Sequence, residues 1–140
     1  MNCSFCNHYS RNPDDVPPNP YGITFVGADE GREHIIFAVT PKQRWLMMED
    51  EVDLWADDNS YYWEGMLTFT DSPPSSRYPG SISVGSIYVN HPRRGIGTLL
   101  WDELIRRYPG YHFPRGSISG AAKGMRASLK RRHGDDYREY

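Results

Sequence analysis

Residues 81–108 read SISVGSIYVNHPRRGIGTLLWDELIRRY, and the fold turns on how this stretch is parsed. Ile82 and Val84 share one face of a strand, whereas Ile87 and Val89 have the opposite parity. A strand keeps one apolar face across such a change when an extra residue is inserted, which places a β-bulge at Gly85-Ser86. His91-Pro92-Arg93-Arg94-Gly95-Ile96-Gly97-Thr98 then halts the strand and opens a helix. Ile96, Leu99, Leu100, Leu104 and Tyr108 line one side of that helix. Asp102 with Arg106, and Glu103 with Arg107, form acid-to-base pairs four residues apart on the other side. The helix N-terminus therefore offers free backbone N–H groups, a positive dipole end, two glycines and two arginines. Those are the components of a phosphate cradle. A glycine turn alone often serves tight packing only; the conjunction of bulge, paired arginines and amphipathic helix favours the cradle.

Val89-x-x-Pro92 followed by Arg93-Arg94-Gly95-Ile96-Gly97-Thr98-Leu99-Leu100 resembles the acetyl-CoA motif of the GNAT superfamily of N-acetyltransferases. The family signature is Gln/Arg-x-x-Gly-x-Gly/Ala between a bulged strand and a helix, and Gly95 to Leu100 match its second half. The first half differs: Pro92 stands three before Gly95, and the loop after Val89 is shorter than usual. In an alternative alignment Arg94 takes the Arg role, Gly97 follows, and Leu99 replaces the small residue. The resemblance spans residues 81–134. It implies an α/β (α+β) fold with a mixed, mostly antiparallel sheet, a bulged central strand and packed helices. It also implies acetyl-CoA as cosubstrate, held by Arg93, Arg94, Gly95, Ile96, Gly97 and Thr98, with backbone groups of Ile87 and Val89 near the thioester. Ser119 stands where the family often has a CoA-contacting Asn. The family's thiolate-protonating Tyr falls at Arg126 by spacing from Ser119, or at Lys130 by spacing back from Gly134. Of the family's final strands, only DDYREY remains after Gly134.

The chain has 140 residues, enough for one domain with a real core, and is rich in aromatics, with 4 Trp and 10 Tyr. No apolar run approaches a membrane helix, and the N-terminus lacks a basic-then-apolar signal, so a cytoplasmic protein with no membrane partner is expected. A near-neutral net charge of -2 conceals segregation: residues 49–71 carry 8 acids and no Lys or Arg, whereas residues 93–132 carry 10 Lys or Arg against 2 acids. Such a split suits a protein that holds a polyanion on one side and a cation on the other; two merely solvated faces would show the same split.

Residues 1–20 read as an arm and Pro-rich linker, with the domain over residues 21–140. Cys3-x-x-Cys6 with His8 falls short of the four ligands of a closed zinc site, so two ordinary thiols are expected and no metal. Tyr21–Val26 and His34–Thr40 are strand-like, joined across Gly27–Gly31 as a hairpin. Thr40-Pro41-Lys42-Gln43 resembles a capping box, and Trp45, Met48, Val52 and Trp55 follow at helical spacing to about Ala56. A strand over Arg44–Met48 is the rival. The Trp45, Met48 and Trp55 stripe is expected in the core, or as the acceptor wall if the resemblance holds. Tyr61–Thr70 reads as a strand with a phase slip at Gly65, Asp71–Gly80 as a loop, and Tyr111–Phe113 as a short strand. Ser119 then caps a last helix that stops at His133-Gly134.

Acyl transfer to an amine needs a base and an acid. Glu64, on the neighbouring strand, and His91 are the candidate bases; Tyr137 and Tyr88 are the available hydroxyl acids. Each has an ordinary alternative as a strand-face, turn or tail residue. The acidic segment suggests a cationic acceptor: a protein lysine, a polyamine or an aminosugar. The rival from another class is a non-catalytic module whose basic last helix (Lys123, Arg126, Lys130, Arg131, Arg132) contacts nucleic acid or a protein partner.

Overall fold

A computed structural model describes residues 19–56, 59–92, 94–113 and, for the backbone, 138–139. Its frame is a six-stranded sheet in sequential order, β1 (Thr24–Glu30), β2 (Glu33–Val39), β3 (Gly65–Ser72), β4 (Ser81–Val89), β5 (His112–Phe113) and β6 (Arg138–Glu139). The first four strands are antiparallel neighbours; β5 runs parallel to β4, and β6 parallel to β5. Among the described residues two helices pack on opposite faces, α1 (Pro41–Glu49) and α2 (Ile96–Arg107). The fold is mixed α+β with a mostly antiparallel sheet.

Alternation along β2 feeds both cores. Ile36 and Ala38 pack with Leu67, Phe69, Ile82 and the α2 residues Leu99, Leu100 and Leu104, whereas Ile35, Phe37 and Val39 pack with Met47 and Trp63 on the α1 side. The bulge lies where the parity change places it. Thr68 pairs with Ser86 and Phe69 with Val84, so Gly85 is the extra residue. Ile82, Val84, Ile87 and Val89 thereby all face α2.

The first hairpin is longer than the glycines suggested. β1 runs through Gly27 to Glu30, and the turn is only Gly31-Arg32, with Gly31 at φ 64°. At Gly65 the strand starts rather than slips; Ser60–Tyr62 before it forms a short 3-10 turn. A Cβ at Gly65 would lie 2.7 Å from Ile96 Cγ2 and 3.1 Å from Leu100 Cδ1, so the first turn of α2 rests directly on this glycine.

The Thr40 capping box forms, with Gln43 N–H donating to Thr40 Oγ1 at 3.2 Å and Thr40 N–H to Gln43 Oε1 at 3.0 Å. The helix nevertheless ends at Glu49, short of Ala56. Glu51 N–H bonds Met48 O and Val52 N–H bonds Met47 O, the Schellman pattern, with Glu51 left-handed at φ 48°. Ending there shifts the buried face: Met47 is buried, while Trp45 and Met48 are 59% and 72% exposed. The expected core stripe is thus mostly on the surface. Because the left-handed position favours glycine, Glu51→Gly should stabilise the protein by up to about 1 kcal/mol, read as a higher urea midpoint.

α2 also departs from its expected two-sided character. Arg107 Nε donates to Glu103 Oε1 at 2.9 Å and Arg106 NH1 lies 3.7 Å from Asp102 Oδ1, yet both carboxylates are buried among Trp101, Leu104 and Ile105. Pairing with arginine is what makes buried carboxylates tolerable. The expected last helix, with Lys123, Arg126, Lys130, Arg131 and Arg132, and Cys3, Cys6 and His8 of the arm lie outside the described residues. At the C-terminal end, β6 adds a short strand beside β5. Among the described residues no helix is long and apolar enough to cross a membrane.

Candidate functional site

The end of β4 leads straight into the site. β4 meets β5 only at Ser81 and His112, so from Ile82 to Val89 it has β3 on one side and, among the described residues, no strand on the other. An edge strand turns alternate N–H and C=O groups outward for a ligand to use. Ile87 and Val89 lie on this open edge, with their side chains half-buried towards α2.

Beyond Val89 the chain is anchored by Asn90. Its N–H donates to Glu64 O at 2.9 Å, and its Nδ2 donates to Ser60 O at 2.9 Å and Trp63 O at 2.6 Å. Glu64, just before β3 and half-buried, is in turn held by its own N–H to Ala38 O at 2.8 Å. The exposed His91 follows directly, so both base candidates stand at the same end of β4 as the glycine turn.

Gly95 is the N-cap of α2 with φ 77°, and among the described residues no side chain caps the helix. The first intrahelical bond from this turn is Leu99 N–H to Gly95 O at 3.1 Å. The N–H groups of Ile96, Gly97 and Thr98 precede that ladder, the donors a helix N-terminus offers to an anion. Among the described residues no atom beyond the adjacent ones lies within 4 Å of where a Cβ on Gly95 would stand. Arg94 is exposed and places its guanidinium carbon 5.4 Å from the Tyr21 ring centroid, a cation–π contact. Ile96 is buried beneath. Arg93, Ser119 and Tyr137 lie outside the described residues.

Two features escaped sequence reasoning. The first is a charged clip across three strands at the far end of α2. His34 Nδ1 lies 2.6 Å from Asp29 Oδ1, and His34 Nε2 lies 2.6 Å from Asp71 Oδ1. An ionised carboxylate only accepts, so both ring nitrogens donate and the imidazole is protonated. Burial opposes that charge, but the hydrogen bonds and charges of Asp29 and Asp71 outweigh it, and the His34 pKa is raised. The ring stacks on Phe69 at 4.9 Å, and Tyr108 meets Phe69 edge-on at 5.5 Å. Burial first, then the charges of Asp71 and Asp29, raise the Tyr108 pKa as well. The signal in the sequence was register: with the turn at Gly31-Arg32, Asp29 and His34 become cross-strand partners.

The second is a groove of about 470 Å³ on the sheet face away from α2. Thr68, Thr70, Ser83 and the bulge residue Gly85 line it, with Glu33, Trp55 and the clip residue His34 also on its wall. Trp55 lies between Asp53 and Asn59, two residues that make hydrogen bonds in this stretch. Trp63 Nε1 donates to the buried Asn59 Oδ1 at 2.9 Å, Asn59 Nδ2 donates to Asp53 O at 3.3 Å, and Trp55 N–H donates to Asp53 Oδ1 at 3.0 Å. Comparison with known proteins finds no matching family model, no similar curated protein and no similar solved structure.

Proposed function

We propose that this chain binds acetyl-CoA at the end of β4 and transfers its acetyl group to a primary amine. One observation carries the reading: among the described residues, the β4 edge from Ile82 to Val89 has no partner strand and leads directly into a helix N-terminus at Gly95 with no side-chain cap. An open edge accommodates an extended amide-bearing arm, and N–H groups at a helix start accommodate phosphate. The residues present fit the cosubstrate. The N–H groups of Ile96, Gly97 and Thr98 and the Arg94 guanidinium meet the pyrophosphate, and the β4 edge around Ile87 and Val89 receives the arm.

Acetyl-CoA supplies the acyl carbon: the amine nitrogen bonds to it, the C–S bond breaks, and the products are an N-acetyl amine and CoA thiol. The acceptor ammonium must first lose one proton, and Glu64 or His91 takes it at the end of β4. The second proton, released as the N–C bond forms, ends on the sulfur. A backbone N–H from the β4 edge is the natural donor to the carbonyl oxygen as negative charge grows there. Tyr137 and Ser119 remain candidates for the thiolate acid and a CoA contact, respectively.

Calorimetry of the purified protein with acetyl-CoA tests this. Micromolar binding is expected, weaker for CoA lacking its 3′-phosphate. An absence of heat up to millimolar acetyl-CoA would overturn the proposal.

A further inference from the structure

The far edge of the sheet carries a charge pattern that the cradle does not use. Among the described residues β1 pairs with β2 on one side and with no strand on the other. Its hairpin closes on Glu30 and Glu33 around a two-residue turn, and the residues that close such a hairpin bond each other. Bonded and open pairs alternate from there. Val26, Ala28 and Glu30 therefore bond to β2, whereas Gly27 and Asp29 turn their N–H and C=O groups to the open edge. The bond from Asp71 N–H to Arg32 O at 3.4 Å sets the same phase from the β3 side. Each face of this edge has a cation beside the middle of the strand and an acid at its end. On the α2 face, Arg107 NH1 lies 3.1 Å from where a Cβ on Gly27 would stand, and the Asp29 side chain two residues on is 76% exposed. On the other face a second groove, of about 380 Å³, is lined by Val26, Met47, Met48, Val52, Leu54 and Arg44. Among the described residues no carboxylate forms an ion pair with Arg44. Glu30 shares that face with Val26, is exposed, and stands directly opposite Glu33. Like charges opposed across two strands destabilise the pair, so a cation brought to Glu30 would stabilise it.

We propose that a second copy of this chain docks on this edge, β1 against β1, antiparallel, with the two-fold axis at Ala28. The outward-facing backbone groups set that register. Gly27 meets the partner's Asp29 and exchanges both N–H···O bonds with it, and Asp29 does the same with the partner's Gly27. Directly opposed side chains fall on one face of the joined sheet. The partner's Asp29 carboxylate therefore comes beside Arg107, and the partner's Glu30, opposite Val26, comes beside Arg44. Symmetry repeats both ion pairs. Ala28 meets its own copy on the axis, where a small side chain allows the strands to close up. Moving the axis to Gly27 carries both acids one pair further from the residues that the arginines adjoin, which favours Ala28. Charged side chains on an edge strand commonly prevent pairing. Here both signs are present, at the spacing that joins two copies. The contact uses the same patch on each chain, so it closes at a dimer. It stands apart from the acetyl-transfer reading, and none of its residues belongs to the cradle.

Sedimentation velocity of the full chain near neutral pH and at low salt, from about 1 to about 500 μM, tests the proposal. One strand edge is a small contact, so a dissociation constant on the order of 10–100 μM is expected, rising with added salt. Arg44→Glu and Glu30→Arg should each weaken the dimer by at least about tenfold, because each sets like charges together at two symmetric places. The double variant Arg44→Glu/Glu30→Arg swaps the signs within each pair and should return to within about threefold of the wild-type constant. Both side chains are exposed, so all three variants should keep the wild-type far-UV circular dichroism spectrum. A chain that stays monomeric to about 500 μM would overturn the proposal, and the acids would then serve to protect the edge. A dimer that the single substitutions leave intact, or that the double variant fails to restore, would overturn it by placing the contact elsewhere.

Discussion

Gly97→Val is expected to weaken acetyl-CoA binding by at least about a hundredfold, roughly 2.8 kcal/mol, while the protein stays folded. Gly97 lies in the first turn of α2, where the N–H groups of Ile96, Gly97 and Thr98 precede the intrahelical ladder and, among the described residues, no side chain caps them. A valine there sets two methyl groups beside those donors and holds a phosphate beyond hydrogen-bond range. Charge-assisted hydrogen bonds are short, so a small displacement removes most of their energy. Valine is no worse a helix former than glycine, so propensity gives no reason for unfolding. Gly97→Ala, with a single methyl, should lose less. Calorimetry gives the affinity, and far-UV circular dichroism on the same samples reports the fold. Wild-type affinity in the valine variant would place the phosphate elsewhere and remove the main support for the cradle.

The His34 clip carries the second large effect. Asp71→Asn should cost about 2 kcal/mol near pH 6, because it removes a charge-assisted bond to a mostly buried imidazolium. Asp29→Asn should cost under about 1 kcal/mol, as exposed ion pairs do. Their exposures explain the difference: the Asp71 side chain is 19% exposed and that of Asp29 is 76% exposed. The pH dependence has a definite sign. The folded-state pKa of His34 is raised, so the native protein holds the proton more tightly than the unfolded chain does. The resulting stability is fully present below the unfolded value of about 6.5 and is lost as pH rises through the elevated folded value. Urea midpoints from about pH 6 to about pH 9 should therefore fall in the wild type, and fall less in Asp71→Asn. Equal slopes in the two proteins would show that the clip does not hold its proton as the geometry requires.

The glycine turn, clip and groove differ in how far local sequence announces them. The turn is a contiguous run whose residue types have local meanings: proline stops a strand, glycine takes a left-handed N-cap, and apolar spacing marks a helix. Strand β4 and helix α2 accordingly lie within a residue of where periodicity puts them. The bulge is equally local, since a parity change within one strand has one economical explanation. The clip joins residues from three strands, and its pairing depends on the turn falling at Gly31-Arg32 rather than across the preceding glycines. The groove needs still more, because its lining comes from β2, β3, β4 and the loop before Trp63.

Helical periodicity likewise states which residues share a side, but not which side is covered. It placed Trp45 and Met48 inside and treated the carboxylate side of α2 as the polar one, whereas packing left the first pair in water and buried Asp102 and Glu103. Residue order along one chain thus determined the bulge, the caps and the open helix start, because each is set by neighbours within a few positions. The exposure of Trp55, the burial of the α2 acids and the charge on His34 were settled only when distant strands met. Each depends on which groups are desolvated together, and no single segment encodes that.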